Sequence, residues 1–302
     1  MRKSIFAAAT LLCGLLSQPA FADLSVFACE PEWGALTAEL AGDKASIYTA
    51  TTGMQDPHQI QARPSLIAKA RSADITVCTG AELEVGWLPM VLQQASNSKI
   101  ASGAPGSFEA ARFVTLLEVP SRLDRAEGDV HASGNPHIQT DPRNILIVAK
   151  ALSDRFAELD GANAATYASR YADFSARWTV ALAKWQAAAA PLKGVPIAVQ
   201  HAGWVYMINW LGLKQIVVLE PKPGVPASSG YLAQILSTLE RTPAKMIIRA
   251  AYQDDRASTF VSERTKIPAL ALPFTIGGSN EAKDLFSLYD DTIKRLLAGA
   301  KS

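Results

Sequence analysis

The stretch Ala164–Ala190 contains neither proline nor glycine, and it sets Tyr167, Tyr171, Phe174, Trp178, Leu182 and Trp185 at spacings of four and three. Apolar residues at that period form one stripe along an α-helix. At 1.5 Å per residue such a helix is about 40 Å long. Asp160-Gly161 opens it and Pro191-Leu-Lys-Gly194 closes it. A rod of this length divides the chain and spaces the two parts stiffly, as no flexible polar linker would. Its aromatic stripe reads as packing surface against both parts, not as a ligand site.

On either side the sequence alternates between strand and helix. The first half reads strand Leu24–Cys29, helix Glu32–Ala41, strand Lys44–Ala50, helix Ser65–Ser72, strand Ile75–Cys78, helix Leu88–Gln94 and strand-like Phe113–Leu117. A helix at Asn144–Leu159 then leads into the long one. The second half reads strand Pro196–Gln200, helix Trp204–Trp210, strand Gln215–Leu219, helix Tyr231–Arg241, strand Lys245–Arg249, helix Ala257–Thr265, strand Ala269–Leu272 and closing helix Ala282–Leu297. This order predicts an α/β protein of two lobes, each a parallel sheet flanked by helices, joined by one long rigid helix. The boundaries expected are 1–22 for a signal peptide, 23–160 for the first lobe, 161–193 for the linking helix and 194–302 for the second lobe.

The N-terminus has the form of an export signal: Arg2 and Lys3, an apolar core Ile5–Leu16, and Ala20-Phe21-Ala22 before Asp23. Its apolar core is too short for a bilayer, which needs about 20 residues. Thr10-Leu-Leu-Cys13 makes a poor lipid-attachment box, so cleavage is expected after Ala22, giving an exported protein without stable membrane insertion. Cleavage leaves 27 basic residues against 28 acidic ones, a net charge of −1. No basic run stands out, which argues against a nucleic-acid partner. Cys13 leaves with the signal, so Cys29 and Cys78 remain, each at the end of a predicted strand. In an oxidising compartment they form a disulfide if they are close; two buried thiols in neighbouring strands is the equal alternative.

The chain has four histidines. His58 lies in Gln55-Asp-Pro-His58, His137 in Gly134-Asn-Pro-His137, and His201 ends the run Val195-Pro-Ile-Ala-Val-Gln200. Each taken singly is an ordinary loop or capping residue. Together they map to the carboxyl ends of strands, where parallel α/β folds bind ligands, two in one half and one in the other. Neutral imidazole is the commonest zinc ligand, so one ion between the lobes could collect all three. Proline before His58 and His137 stiffens both loops.

With these pieces in place, the chain resembles the metal-binding proteins of zinc and manganese ABC importers (the cluster A-I, or cluster 9, solute-binding proteins). The matching segments are Asp56-Pro-His58 with Pro64-Ser65, Ala73-Asp74, Gly80-Ala-Glu-Leu-Glu84 with Trp87-Leu88, and Asn135-Pro-His137 with Asp141-Pro142. His201, Glu220-Pro-Lys-Pro-Gly224 and the long central helix complete the series. The resemblance covers essentially the whole mature chain. It implies a periplasmic monomer that carries a metal ion to an inner-membrane ABC permease, with the metal positions falling on His58, His137 and His201. The cargo expected is Zn(II), with Mn(II) less favoured because manganese carriers add carboxylate oxygens. Copper(II) would bind three imidazoles at least as tightly in vitro.

The chain departs from that family at the fourth ligand. Relatives supply an Asp or Glu after the last strand, where this chain has Leu272-Pro-Phe-Thr-Ile-Gly-Gly-Ser279. The last position then falls to water or Glu30; Glu84, Glu220, Asp254 and Asp255 are further acids, each more often a solvated or supporting carboxylate than a ligand. His131 stands as a thin remnant of the His-rich loop of relatives, more often a surface residue than a ligand. A second reading is a zinc-dependent hydrolase or hydratase, because three histidines and a zinc-bound water can also be catalytic. No residue with a clear general-base setting lies beside the histidines. Surface adhesion is a third and weaker reading.

Overall fold

The computed structural model describes residues 23–121 and 131–301; the N-terminal segment read as an export signal lies outside them. In the first lobe β1 (Leu24–Ala28), β2 (Ala45–Thr49), β3 (Ile75–Cys78) and β4 (Ser107–Glu109) form a parallel sheet in the order β2-β1-β3-β4. Its helices are α1 (Pro31–Ala41), α2 (Pro64–Ser72), α3 (Leu88–Ala95) and α4 (Pro142–Leu159). Each of these four has proline in its first two positions, where the missing N–H costs nothing and the fixed φ suits a helix.

The second lobe repeats the plan. Its strands are β5 (Pro196–Val199), β6 (Lys214–Val218), β7 (Met246–Ala250) and β8 (Ala269–Leu272), paired in parallel as β6-β5-β7-β8. α6 (Val205–Leu211), α7 (Ser229–Arg241), α8 (Arg256–Thr265) and α9 (Leu285–Lys301) flank it. In each lobe the strand order reverses beside the first strand, which opens a crevice at the carboxyl ends.

Between the lobes runs α5 (Ala164–Ala189), the helix read from the aromatic stripe. Tyr167, Phe174, Trp178 and Trp185 are all buried. Trp178 packs against Trp185, Phe286 and Tyr289 at centroid distances of 5.0, 4.8 and 5.6 Å. Its indole N–H donates to the Pro142 carbonyl, and that of Trp185 to Asp290. The stripe thus serves packing, with α4 on one side and α9 on the other. One continuous apolar cluster runs from the inner face of the first sheet through α5 to the inner face of the second, while smaller clusters fill the outer faces.

Two expectations are corrected. The fourth strand of the first sheet is Ser107–Glu109, not Phe113–Leu117. Phe113 instead ends a 3-10 turn and stacks on buried Phe108 at 5.0 Å, and the apolar run beyond it forms no strand. The closing helix starts at Leu285 because the Asp284 carboxylate accepts the Ser287 N–H, an N-terminal cap. Cys29 and Cys78 form a disulfide across the neighbouring strands β1 and β3. No helix among the described residues is long and apolar enough to cross a membrane.

Candidate metal centre

His58, His137 and His201 come together between the lobes, with one ligand atom from each within 4.8 Å of the others. Their ring centroids are 5.2 Å (His58–His137), 5.5 Å (His137–His201) and 6.0 Å (His58–His201) apart. Loop chemistry aims each ring. Asp56 Oδ1 accepts both the backbone N–H of His58 at 3.0 Å and its Nδ1 proton at 2.9 Å. Asn135 Oδ1 treats His137 identically, at 3.1 and 2.8 Å. The Asp/Asn-Pro-His step is therefore one device used twice: the side chain two residues back clamps main chain and ring while proline fixes the turn.

His201 is held from a greater distance in sequence. Glu220 Oε2 takes its Nδ1 proton at 2.7 Å and is itself anchored by the Gly224 N–H at 2.9 Å. With all three Nδ1 atoms engaged by oxygen acceptors, the free lone pairs sit on Nε2. Nε2 of His58 and of His137 is buried with no hydrogen-bond partner among the described residues. An oxygen acceptor behind each imidazole is the arrangement that orients metal-binding histidines, so the residues present fit a metal ion. Burial, reinforced by the charges of the other histidines, holds His137 well below the usual histidine value. It is thus neutral and ready to coordinate.

The lobes meet around this point through specific bonds. Asn135 Nδ2 donates to the Ala202 carbonyl beside His201 at 2.8 Å. Tyr206 of α6 donates to the Asn135 carbonyl at 2.6 Å and accepts from the Leu117 N–H at 3.1 Å. Gly53 packs its backbone so closely against Gly277 and Gly278 that a Cβ there would collide with main chain.

Where relatives are expected to carry a carboxylate, Phe274 stands edge-on to His137 at 5.4 Å and to Trp204 at 4.8 Å. The proposed substitute, Glu30, does not join the histidine group among the described residues. It belongs instead to a buried carboxyl cluster with Glu32 and Glu84, all at most 3% exposed. Thr79 Oγ1 accepts from the Trp33 indole at 2.8 Å and donates to Glu30 at 3.2 Å. Glu84 accepts the Thr79 and Gly80 N–H groups, and Glu32 bonds Thr275 of the opposite lobe. Of the other acids, Asp254 pairs with Arg256 at 2.9 Å, Asp255 lies 3.9 Å from Arg249, and Glu220 orients His201. His131 is half-buried, not a free surface side chain, and its ring lies 5.4 Å from that of His58.

The carboxyl cluster makes a prediction. Burial, then the charges of Glu84 and Glu32, push Glu30 well above the ordinary range, while burial carries Glu32 and Glu84 to about 7. An unfolded glutamate ionises near 4.3. The stability these groups give is therefore full below about 4.3 and is lost as pH rises through their folded values. Glu30→Gln is expected to leave zinc affinity unchanged and to gain stability over the parent progressively between pH 5 and 8. A melting difference flat with pH would contradict the protonated cluster, and a loss of zinc affinity would return Glu30 to the metal.

Comparison with known proteins agrees with this architecture. The family model described as ZnuA, zinc-uptake complex component A periplasmic, matches residues 26–299. The chain is 22% identical over 259 residues to the manganese ABC transporter substrate-binding lipoprotein PsaA of Streptococcus anginosus, covering 84% of this chain and 81% of that one. It is 21% identical to the metal ABC transporter substrate-binding lipoprotein SloC of Streptococcus mutans over 80% of this chain and 77% of that one. A crystal structure of ZnuA superposes with a TM-score of 0.75 at 20% identity, covering 92% of this chain and 99% of that one. A cadmium-bound periplasmic metal-binding protein from Candidatus Liberibacter asiaticus gives 0.75 at 16% identity, covering 92% and 100%. Matched along nearly all of its described length, the chain belongs to the ZnuA family, the metal-binding substrate-binding proteins of ABC importers, and is not an enzyme.

Proposed function

We propose that the protein captures Zn(II) in the periplasm through Nε2 of His58, His137 and His201 and delivers it to an inner-membrane ABC permease. The observation that carries this reading is the convergence of three imidazoles, each with Nδ1 held by an oxygen acceptor. Several streptococcal relatives are named for manganese. Manganese favours carboxylate, carbonyl and water oxygens, whereas a nitrogen-rich set suits zinc. Here the carboxylates of Asp56 and Glu220 face Nδ1 rather than the point of convergence, and Phe274 occupies the wall beside His137. That donor set supports zinc as the cargo. The signal-like N-terminus and the described family support export and delivery to a permease.

Purified apo protein is expected to bind one equivalent of zinc in a chelator-competition titration. Zinc free at 100 times the dissociation constant adds about 2.7 kcal/mol of stability, which raises the melting temperature of a chain this size by roughly 5–10 °C. Two equally tight sites, or tighter binding of manganese than of zinc, would defeat the proposal.

A further inference from the structure

A fourth imidazole borders the point where the other three converge. The ring of His131 lies 5.4 Å from that of His58 and 6.3 Å from that of His137. Pairs within the trio span 5.2 to 6.0 Å. Four imidazoles bound tetrahedrally to one zinc at about 2.0–2.1 Å hold their ring centres roughly 5 Å apart. The distances of His131 thus resemble those of the trio, although its ligand nitrogen stands outside the group that lies within 4.8 Å. Binding a fourth imidazole requires His131 to move inward toward the group formed by the other three.

From this juxtaposition we infer that His131 is the fourth protein ligand, closing a site of four imidazoles. The inference rests on the proposed roles of His58, His137 and His201 and adds one residue to them. The segment around His131 is built to hold the ring there. Ala132 N–H donates to Glu82 Oε2 at 2.5 Å, Gly134 N–H closes a turn onto the His131 carbonyl at 3.2 Å, and Asn135 N–H reaches the Leu117 carbonyl at 2.8 Å. Glu82 and its neighbour Ala81 take left-handed backbone angles, φ 67° and 49°, which non-glycine residues adopt only where surrounding contacts require them. A cavity of about 170 Å³ has His131, His137 and His201 on its walls, so the rings share one space. Glu118 borders the same cavity and is the competing donor. Its carboxylate, however, is taken up by Asn135 Nδ2 at 2.9 Å, and the residue is exposed.

This geometry also explains how the chain manages without a carboxylate after β8. The donor enters from the first lobe, on the loop that precedes the Asn-Pro-His step, while Phe274 fills the position on the second.

Zinc K-edge X-ray absorption on the loaded full-length mature protein, paired with chelator-competition titration, tests the assignment. Four imidazole nitrogens are expected in the parent, and three nitrogens with one oxygen in His131→Ala. Zinc affinity should fall about 10²–10³-fold in that variant, the loss of one ligand in four, with the apo melting temperature unchanged. Glu118→Gln should keep both the four-nitrogen spectrum and the parental affinity. Three nitrogens and one oxygen in the parent, or parental affinity in His131→Ala, overturns the inference and leaves the three-histidine reading standing. Fewer than three imidazoles in the parent overturns both.

Discussion

Alanine at His58, His137 or His201 is expected to weaken zinc binding about 10²–10³-fold in each case. A structural zinc site of four ligands is worth about 10–16 kcal/mol, so one ligand carries roughly a quarter of that. The apo protein should stay folded, because these side chains meet at the lobe interface and not in the apolar cluster. Removing the oxygen behind a ring should cost less, about 10- to 100-fold, in Asp56→Ala, Asn135→Ala and Glu220→Ala. Chelator-competition titration ranks the two groups. Equal losses in both would mean that the rings find the metal without their acceptors. The dependence on pH follows from the same geometry. Metal displaces protons only from imidazoles that carry them, and His137 is already neutral through the physiological range. Affinity should therefore fall with acid by less than the tenfold per pH unit for each of three ligands that fully protonated histidines would give. A slope of three in log affinity against pH would contradict the burial of His137.

Loss of the Cys29–Cys78 disulfide is the largest stability change expected. The bond joins neighbouring strands across a sequence separation of 49. Loop-closure entropy for a ring of that size gives about 4 kcal/mol. Cys29→Ser/Cys78→Ser should melt well below the parent while its zinc affinity at low temperature is retained, since neither sulfur belongs to the histidine group. Denaturant titration of the two forms measures the difference. A change under about 1 kcal/mol would show that the sheet does not depend on the bond.

Long periodic elements and the histidines themselves could be read in the sequence, because both leave local marks. The aromatic stripe of α5 reports a buried face at helical spacing, and the doubled strand–helix alternation reports two sheets. β4 was not legible. Three residues are too short to establish a period of two, and the longer apolar run at Phe113 drew the assignment away. The supporting atoms of the site were half visible. The Asp/Asn-Pro-His step stands twice in the sequence, yet its role in clamping Nδ1 emerges only from the turn it makes. Glu30 looked available because it follows β1 directly. What moved it elsewhere was a set of partners distant in sequence, Thr79 and Glu84, which no local pattern links to it. The half-burial of His131 was no more legible: its neighbour Ala132 is held by Glu82, fifty positions away.

The acceptors behind His58 and His201 also bear on the charge beside the proposed ion. In the proposed site Asp56 and Glu220 are carboxylates a single imidazole away from the ion, and neutral imidazole ligands would add no charge of their own. Burial would raise Asp56, but the hydrogen bond and charge of His58 outweigh it and keep the carboxylate ionised. Counted with these two carboxylates alone, a divalent ion would give neutrality, a monovalent one a negative sum and a trivalent one a positive sum. In the proposed site, two carboxylates that never touch the metal would stand in electrically for the one missing after β8. Selection by donor atom and selection by valence would then fall to different residues, each free to change without the other.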